Sequence, residues 1–99
     1  MDRLIYLHFD YPLNKTLQFK VEKDQGGSFG FRKFSKNVIS FIEHQYGLAI
    51  ENLDHIRFTT TDMIQIRKVS EITENQTVVC FLSDSVIHSI INSLDNQTN

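Results

Sequence analysis

Residues 28–47 read SFGFRKFSKNVISFIEHQYG, and this stretch decides the fold. Phe31, Phe34, Val38, Phe41, Ile42 and Tyr46 recur at the spacing that sets all six on one stripe of an α-helix. Ser28 is the expected cap, because its hydroxyl can accept a free N–H of the first turn; Gly47 is the expected left-handed residue that closes the end. Arg32, Lys33, Lys36 and Glu43 fall off the stripe and belong to solvent. Burying a side chain of this kind stabilises by roughly 1.5–3 kcal/mol. Six of them make the helix the largest single contributor to a core, and it needs a sheet to cover.

The segments on either side supply strands. Residues 3–9 alternate, with Ile5, Leu7 and Phe9 on one face and Leu4, Tyr6 and His8 on the other. Residues 10–15 form a turn around Pro12 and Asn14, after which Leu17, Phe19 and Val21 alternate with Gln18, Lys20 and Glu22. Two such runs predict an antiparallel hairpin, followed by a flexible bridge from Lys23 to Ser28. Beyond Gly47, Leu48 and Leu53 are expected to tuck under the helix end. Residues 55–59 predict a third strand and residues 63–66 a short fourth, followed by a loop over 67–76 pinned by Val69 and Ile72. Residues 77–82 are apolar after Thr77, as expected of a central strand covered on both faces. Ser83 or Asp84 can cap a second helix carrying Val86, Ile87, Ile90, Ile91 and Leu94 on one side.

The expected order is therefore ββαβββ plus a C-terminal helix: an α+β, β-grasp arrangement over residues 1–82, a helix over 83–95 and a flexible tail over 96–99. Ninety-nine residues suit one domain with one modest core. The formal charge of −2 argues against a general nucleic-acid binder. The charge is uneven, with seven Lys or Arg against four acids in residues 1–36 and three against eight in residues 37–99. The single cysteine, Cys80, precludes an internal disulfide and suits a reducing compartment. With no run long enough to span a bilayer and no signal-peptide pattern, a cytoplasmic location is expected.

Ile56-Arg57-Phe58-Thr59 with a turn at Thr61-Asp62, then Val69-Ser70-Glu71-Ile72 before the strand Thr77-Val78-Val79-Cys80, resembles the ubiquitin-like superfamily. Within it, the second half is similar to doublecortin-type modules and to the KHA-type domains of some potassium channels. The turn after the third strand lacks the glycine usual in these modules, and the last strand lacks their usual aromatic. The resemblance implies a module that binds other proteins, with tubulin as one possible partner. The chain ends in Gln97-Thr98-Asn99 rather than the Gly-Gly of transferable modifiers, so the role of a conjugated tag is not expected.

Catalytic and metal chemistry find little footing in the sequence. His8, His44, His55 and His88 lie on four different elements without metal-ligand spacing, and Cys80 sits in the most apolar strand. Gly26-Gly27-Ser28-Phe29-Gly30 lacks the Lys-Ser/Thr ending of a phosphate-binding loop. No metal, cofactor or catalytic residue is expected. Two kinds of surface are left. One is a basic set, Arg32, Lys33, Lys36 and Lys20 with Lys23, suited to an acidic partner. The other is the outer sheet face of Leu4, Tyr6 and His8, joined by Val79 and Phe81 or by Val78, Cys80 and Leu82. The second helix is expected to fold back over that face; otherwise Ile87, Ile90 and Ile91 become a surface for self-association or docking. The leading expectation is a non-enzymatic interaction module, the N-terminal domain of a larger adaptor or scaffold. The alternatives are a doublecortin-like cytoskeletal adaptor and a small enzyme with an unrecognised pocket.

Overall fold

The computed structural model describes residues 2–22 and 27–96, the first three of the long helix by backbone alone. Its elements in order are β1 (Arg3–Phe9), β2 (Lys15–Val21), α1 (Gly27–Tyr46), β3 (Ile56–Thr59), β4 (Thr77–Leu82) and α2 (Asp84–Asn96). Single helical turns at Leu53–His55 and Val69–Glu71 flank β3 and β4. Of the bridge expected over residues 23–28, residues 23–26 lie outside the described residues, as do 97–99 of the tail, and Gly27 and Ser28 belong to α1. Asn96, expected in the tail, is the last residue of α2.

The four strands form one mixed sheet in the order β2-β1-β4-β3. β1 pairs antiparallel with β2, with Ile5 opposite Phe19, and parallel with β4, with Leu7 opposite Val78. β3 is the edge strand on the far side from β2, antiparallel to β4, with Phe58 opposite Cys80. The alternation read from sequence holds on β1, where Ile5, Leu7 and Phe9 are fully buried. On β4 it takes one of the two parities open from sequence: Val78 and Cys80 point into the core, Val79 and Phe81 away from it.

Helix α1 lies on the inner face. Phe34, Val38 and Ile42 are buried, while Phe31, Phe41 and Tyr46 are half-buried and pack against the same core. Phe41 stacks on Phe9, 5.7 Å between centroids, and meets Phe19 edge-on at 5.8 Å. Ser35 and Ile39 are buried too, so the apolar face is wider than six residues. Gly47 ends the helix at φ 66°, and the Leu48 N–H donates back to the Glu43 carbonyl (3.1 Å), the arrangement a left-handed C-terminal residue permits. The start differs from expectation: the helix begins at Gly27, one residue ahead of the serine read as its cap. Glu43 is not simply solvated, since its carboxylate accepts the Ile50 N–H at 2.8 Å and holds the departing chain against the helix.

The expected fourth strand at residues 63–66 does not form. After β3 the chain reverses tightly: Met63 takes φ 69°, the Met63 N–H donates to the Thr60 carbonyl (3.0 Å), and the Thr60 hydroxyl accepts the Asp62 and Ile64 N–H groups (3.2 Å each). A turn this compact leaves one isolated bridge, Thr59 to Gln65, before the chain departs. The sheet therefore has four strands rather than five. Val69 and Ile72 pin the following loop as expected, Ile72 being fully buried.

Candidate functional site

The outer sheet face is built by strand parity. Leu4, Tyr6 and His8 of β1 stand beside Lys20, Gln18 and Thr16 of β2, and His8 shares a 2.9 Å hydrogen bond with the Thr16 hydroxyl. On the other side lie Thr77, Val79 and Phe81, then Arg57 of β3, whose guanidinium rests 5.3 Å above the Phe81 ring. Leu4 is 48% exposed and Tyr6 38%. The start of β1 is held along its β4 side, the Leu4 N–H donating to the Glu74 carboxylate (2.7 Å) and the Asn75 N–H to the Leu4 carbonyl (2.8 Å). The two exposed side chains thus stand on anchored backbone.

Helix α2 does not cover this face, contrary to expectation. Val86 and Ile90 join the inner core, and the Ser93 hydroxyl donates to the Tyr46 carbonyl at 2.8 Å, docking α2 at the C-terminal end of α1. The direction is set at the junction. The Ser83 N–H donates to the His55 carbonyl (2.8 Å), and the Ser83 hydroxyl accepts the Val86 N–H (3.3 Å) and bonds His55 Nδ1 (2.8 Å). Ile90, expected as a docking residue, is 0% exposed and offers a partner no surface. Ile87 and Ile91 are half-buried on the flanks of the same helix.

The basic set divides between two places. Lys33 pairs with Glu22 (2.6 Å) and Lys20 with Asp2 (3.5 Å), both beside β2. Arg32 and Lys36, one helical turn apart, face the opposite edge and line a groove of about 640 Å³ between α1, β3 and the Gln65–Arg67 segment. There they join Arg67, which no local pattern tied to them, and Arg57 of β3, whose guanidinium is turned to Phe81 on the outer face. Lys23 lies outside the described residues.

The groups weighed for chemistry are placed apart. Cys80 is fully buried, and burial pushes its thiol up to about 12, so it is protonated and inert at neutral pH. His44 and His88 are exposed on separate helices. His55 meets Ser83, but that hydroxyl already serves as the N-terminal cap of α2. Among the described residues no group of three or more His, Cys, Asp or Glu could hold a metal ion, and no helix is long and apolar enough to cross a membrane. Compared with known proteins, the chain matches no family model and no curated sequence.

Proposed function

We propose that this chain is a non-enzymatic protein-interaction module of ubiquitin-like, β-grasp fold, and that its outer sheet face meets a partner protein. A hairpin, a helix crossing its inner face and a last strand returning parallel to the first support that fold reading. One observation carries the function: Leu4 and Tyr6 stand exposed on the central strand β1 while α2, the element able to cover them, packs elsewhere. A partly apolar patch on rigid backbone, rimmed by Lys20, Gln18 and His8, has the make-up of an interaction surface. The inert state of the only thiol in the chain favours binding over nucleophilic chemistry.

The test is partner capture from the source cell with the wild-type chain and with Leu4→Asp and Tyr6→Asp, each checked for native circular dichroism. The partner should be lost with both variants and kept with Asn92→Asp, an exposed change on α2. Equal recovery with all forms would remove the outer face from consideration.

A further inference from the structure

The edge strand β3 is only half covered. The Ile66 N–H donates to the Phe58 carbonyl (2.9 Å), and then the chain turns away, the Arg67 N–H donating to the Glu71 carboxylate (2.9 Å). Beside Ile56 and Arg57 the lane along the edge therefore holds no strand among the described residues. The His55 carbonyl accepts from Ser83 on β4, so by antiparallel alternation the Ile56 carbonyl and the Phe58 N–H point into that lane. One acceptor and one donor flanking a single residue are what an added strand engages.

The groove of about 640 Å³ occupies this lane. Its accessible apolar surface comes chiefly from Phe31 and Leu53, over the buried side chains of Ile56, Phe58 and Ile66. Its rim carries Arg32, Lys36 and Arg67 against one carboxylate, Asp54; Arg57 also lines it, but its guanidinium lies over Phe81 on the outer face. None of these three cations forms an ion pair among the described residues; the Arg67 guanidinium donates to the neutral Gln65 amide oxygen (3.1 Å). Excess positive charge over an apolar floor, next to a strand edge, selects a definite chemistry.

We propose that this lane takes an extended acidic peptide from a partner protein as an added strand. Its backbone pairs with Ile56 and Phe58, its apolar side chains lie on the floor, and its carboxylates meet Arg32, Lys36 and Arg67. A polynucleotide would satisfy the cations but matches neither the strand edge nor the floor. The inference rests on the interaction-module reading yet concerns a surface separate from Leu4 and Tyr6.

The probe is a short peptide of alternating Glu and Val, titrated into the full chain labelled for amide NMR. Its companions are a twin with Lys in place of Glu and a twin N-methylated at the residues facing β3. Saturable shifts are expected at the amides of Ile56, Phe58, Ile66 and Arg67. Binding should weaken about tenfold in the Arg32→Glu/Lys36→Glu double variant and be kept in Arg32→Lys/Lys36→Arg. It should also weaken at least about tenfold with the N-methylated twin, which has lost its strand donors. Leu4→Asp should leave the peptide affinity unchanged, so failure here is distinct from failure at the outer face. Equal binding of either twin, shifts confined to Leu4 and Tyr6, no saturable shift at all, or tighter binding of a single-stranded oligonucleotide in the same lane each overturns the proposal.

Discussion

Phe58 joins the core to the groove, and truncating it tests the whole packing scheme. It sits on β3, 2% exposed, with its ring 5.0 Å from Phe34 and 5.7 Å, edge-on, from Phe31 of α1. A buried aromatic removes about 150–250 Å² from water, worth roughly 4–6 kcal/mol at about 25 cal/mol per Å². That is an upper bound, because the unfolded chain already hides part of its apolar surface. Core Phe→Ala changes cost about 3–5 kcal/mol, and Phe58→Ala should fall there. Against a total stability of about 5–15 kcal/mol for a small domain, such a loss brings the chain near unfolding. Phe58→Leu keeps most of the volume but loses both ring contacts, each worth about 0.5–1.5 kcal/mol, so a cost of about 1–3 kcal/mol is expected. At about 4–8 °C per kcal/mol it remains measurable as a Tm shift if the alanine variant does not fold. Tyr6→Ala, on the open side of the same sheet, should cost under about 1 kcal/mol. Urea denaturation by circular dichroism reads all three. A Phe58→Leu cost below about 0.5 kcal/mol, or a Tyr6→Ala cost matching that of Phe58→Leu, would mean that α1 does not lie on the face assigned to it.

Cys80 should resist a thiol reagent in the native protein and react at once in denaturant; rapid native labelling would contradict a buried thiol held near 12. Gly47→Ala meets no neighbouring atom but must adopt φ 66°, so it should lower stability by about 1–2 kcal/mol in urea titration. Glu71 accepts the Arg67 and Lys68 N–H groups (2.9 and 2.8 Å), which hold its carboxyl below the ordinary 4.5. The stability it lends is therefore present above pH 4.5 and lost as the pH falls through the lowered value. Glu71→Gln should accordingly be less stable than wild type at neutral pH, with the difference shrinking on acidification; a pH-independent difference would refute the role.

What the sequence disclosed follows from which forces act locally. The α1 stripe and the parity of β1 and β2 were legible because a half-buried helix or strand repeats its apolar residues at its own period. Three features were not. Residues 63–66 have strand-like composition, but the Thr60 hydroxyl and the positive φ of Met63 close the turn so tightly that one bridge remains. The parity of β4 could not be read because every residue after Thr77 is apolar; pairing with β1 and β3 decides it. The docking of α2 depends on the Ser83–His55 contact, made between residues far apart in sequence. The groove shows the same limit. Arg32 and Lys36 were found from helical spacing, whereas Arg57 and Arg67 join them only once β3 and its return segment are folded.

Arg57 also explains why the outer face is less apolar than its sequence suggests. Val79 and Phe81 could extend the Leu4–Tyr6 patch across the sheet, yet both are half-buried. The guanidinium of Arg57 lies over Phe81, covering an aromatic face with a cation whose charge stays wet. On the outer face, exposed apolar area is thereby concentrated on β1, whereas positive charge with no ion pair among the described residues gathers beyond β3. In the order β2-β1-β4-β3 these two strands are two steps apart, about 10 Å at the usual strand spacing. That distance is comparable to the screening length at physiological salt, so charge reversal at Arg32 and Lys36 should scarcely perturb contacts at Leu4. Apolar association at the outer face and salt-sensitive strand addition at the groove are therefore separable by mutation, and one partner using both would have to wrap around β3.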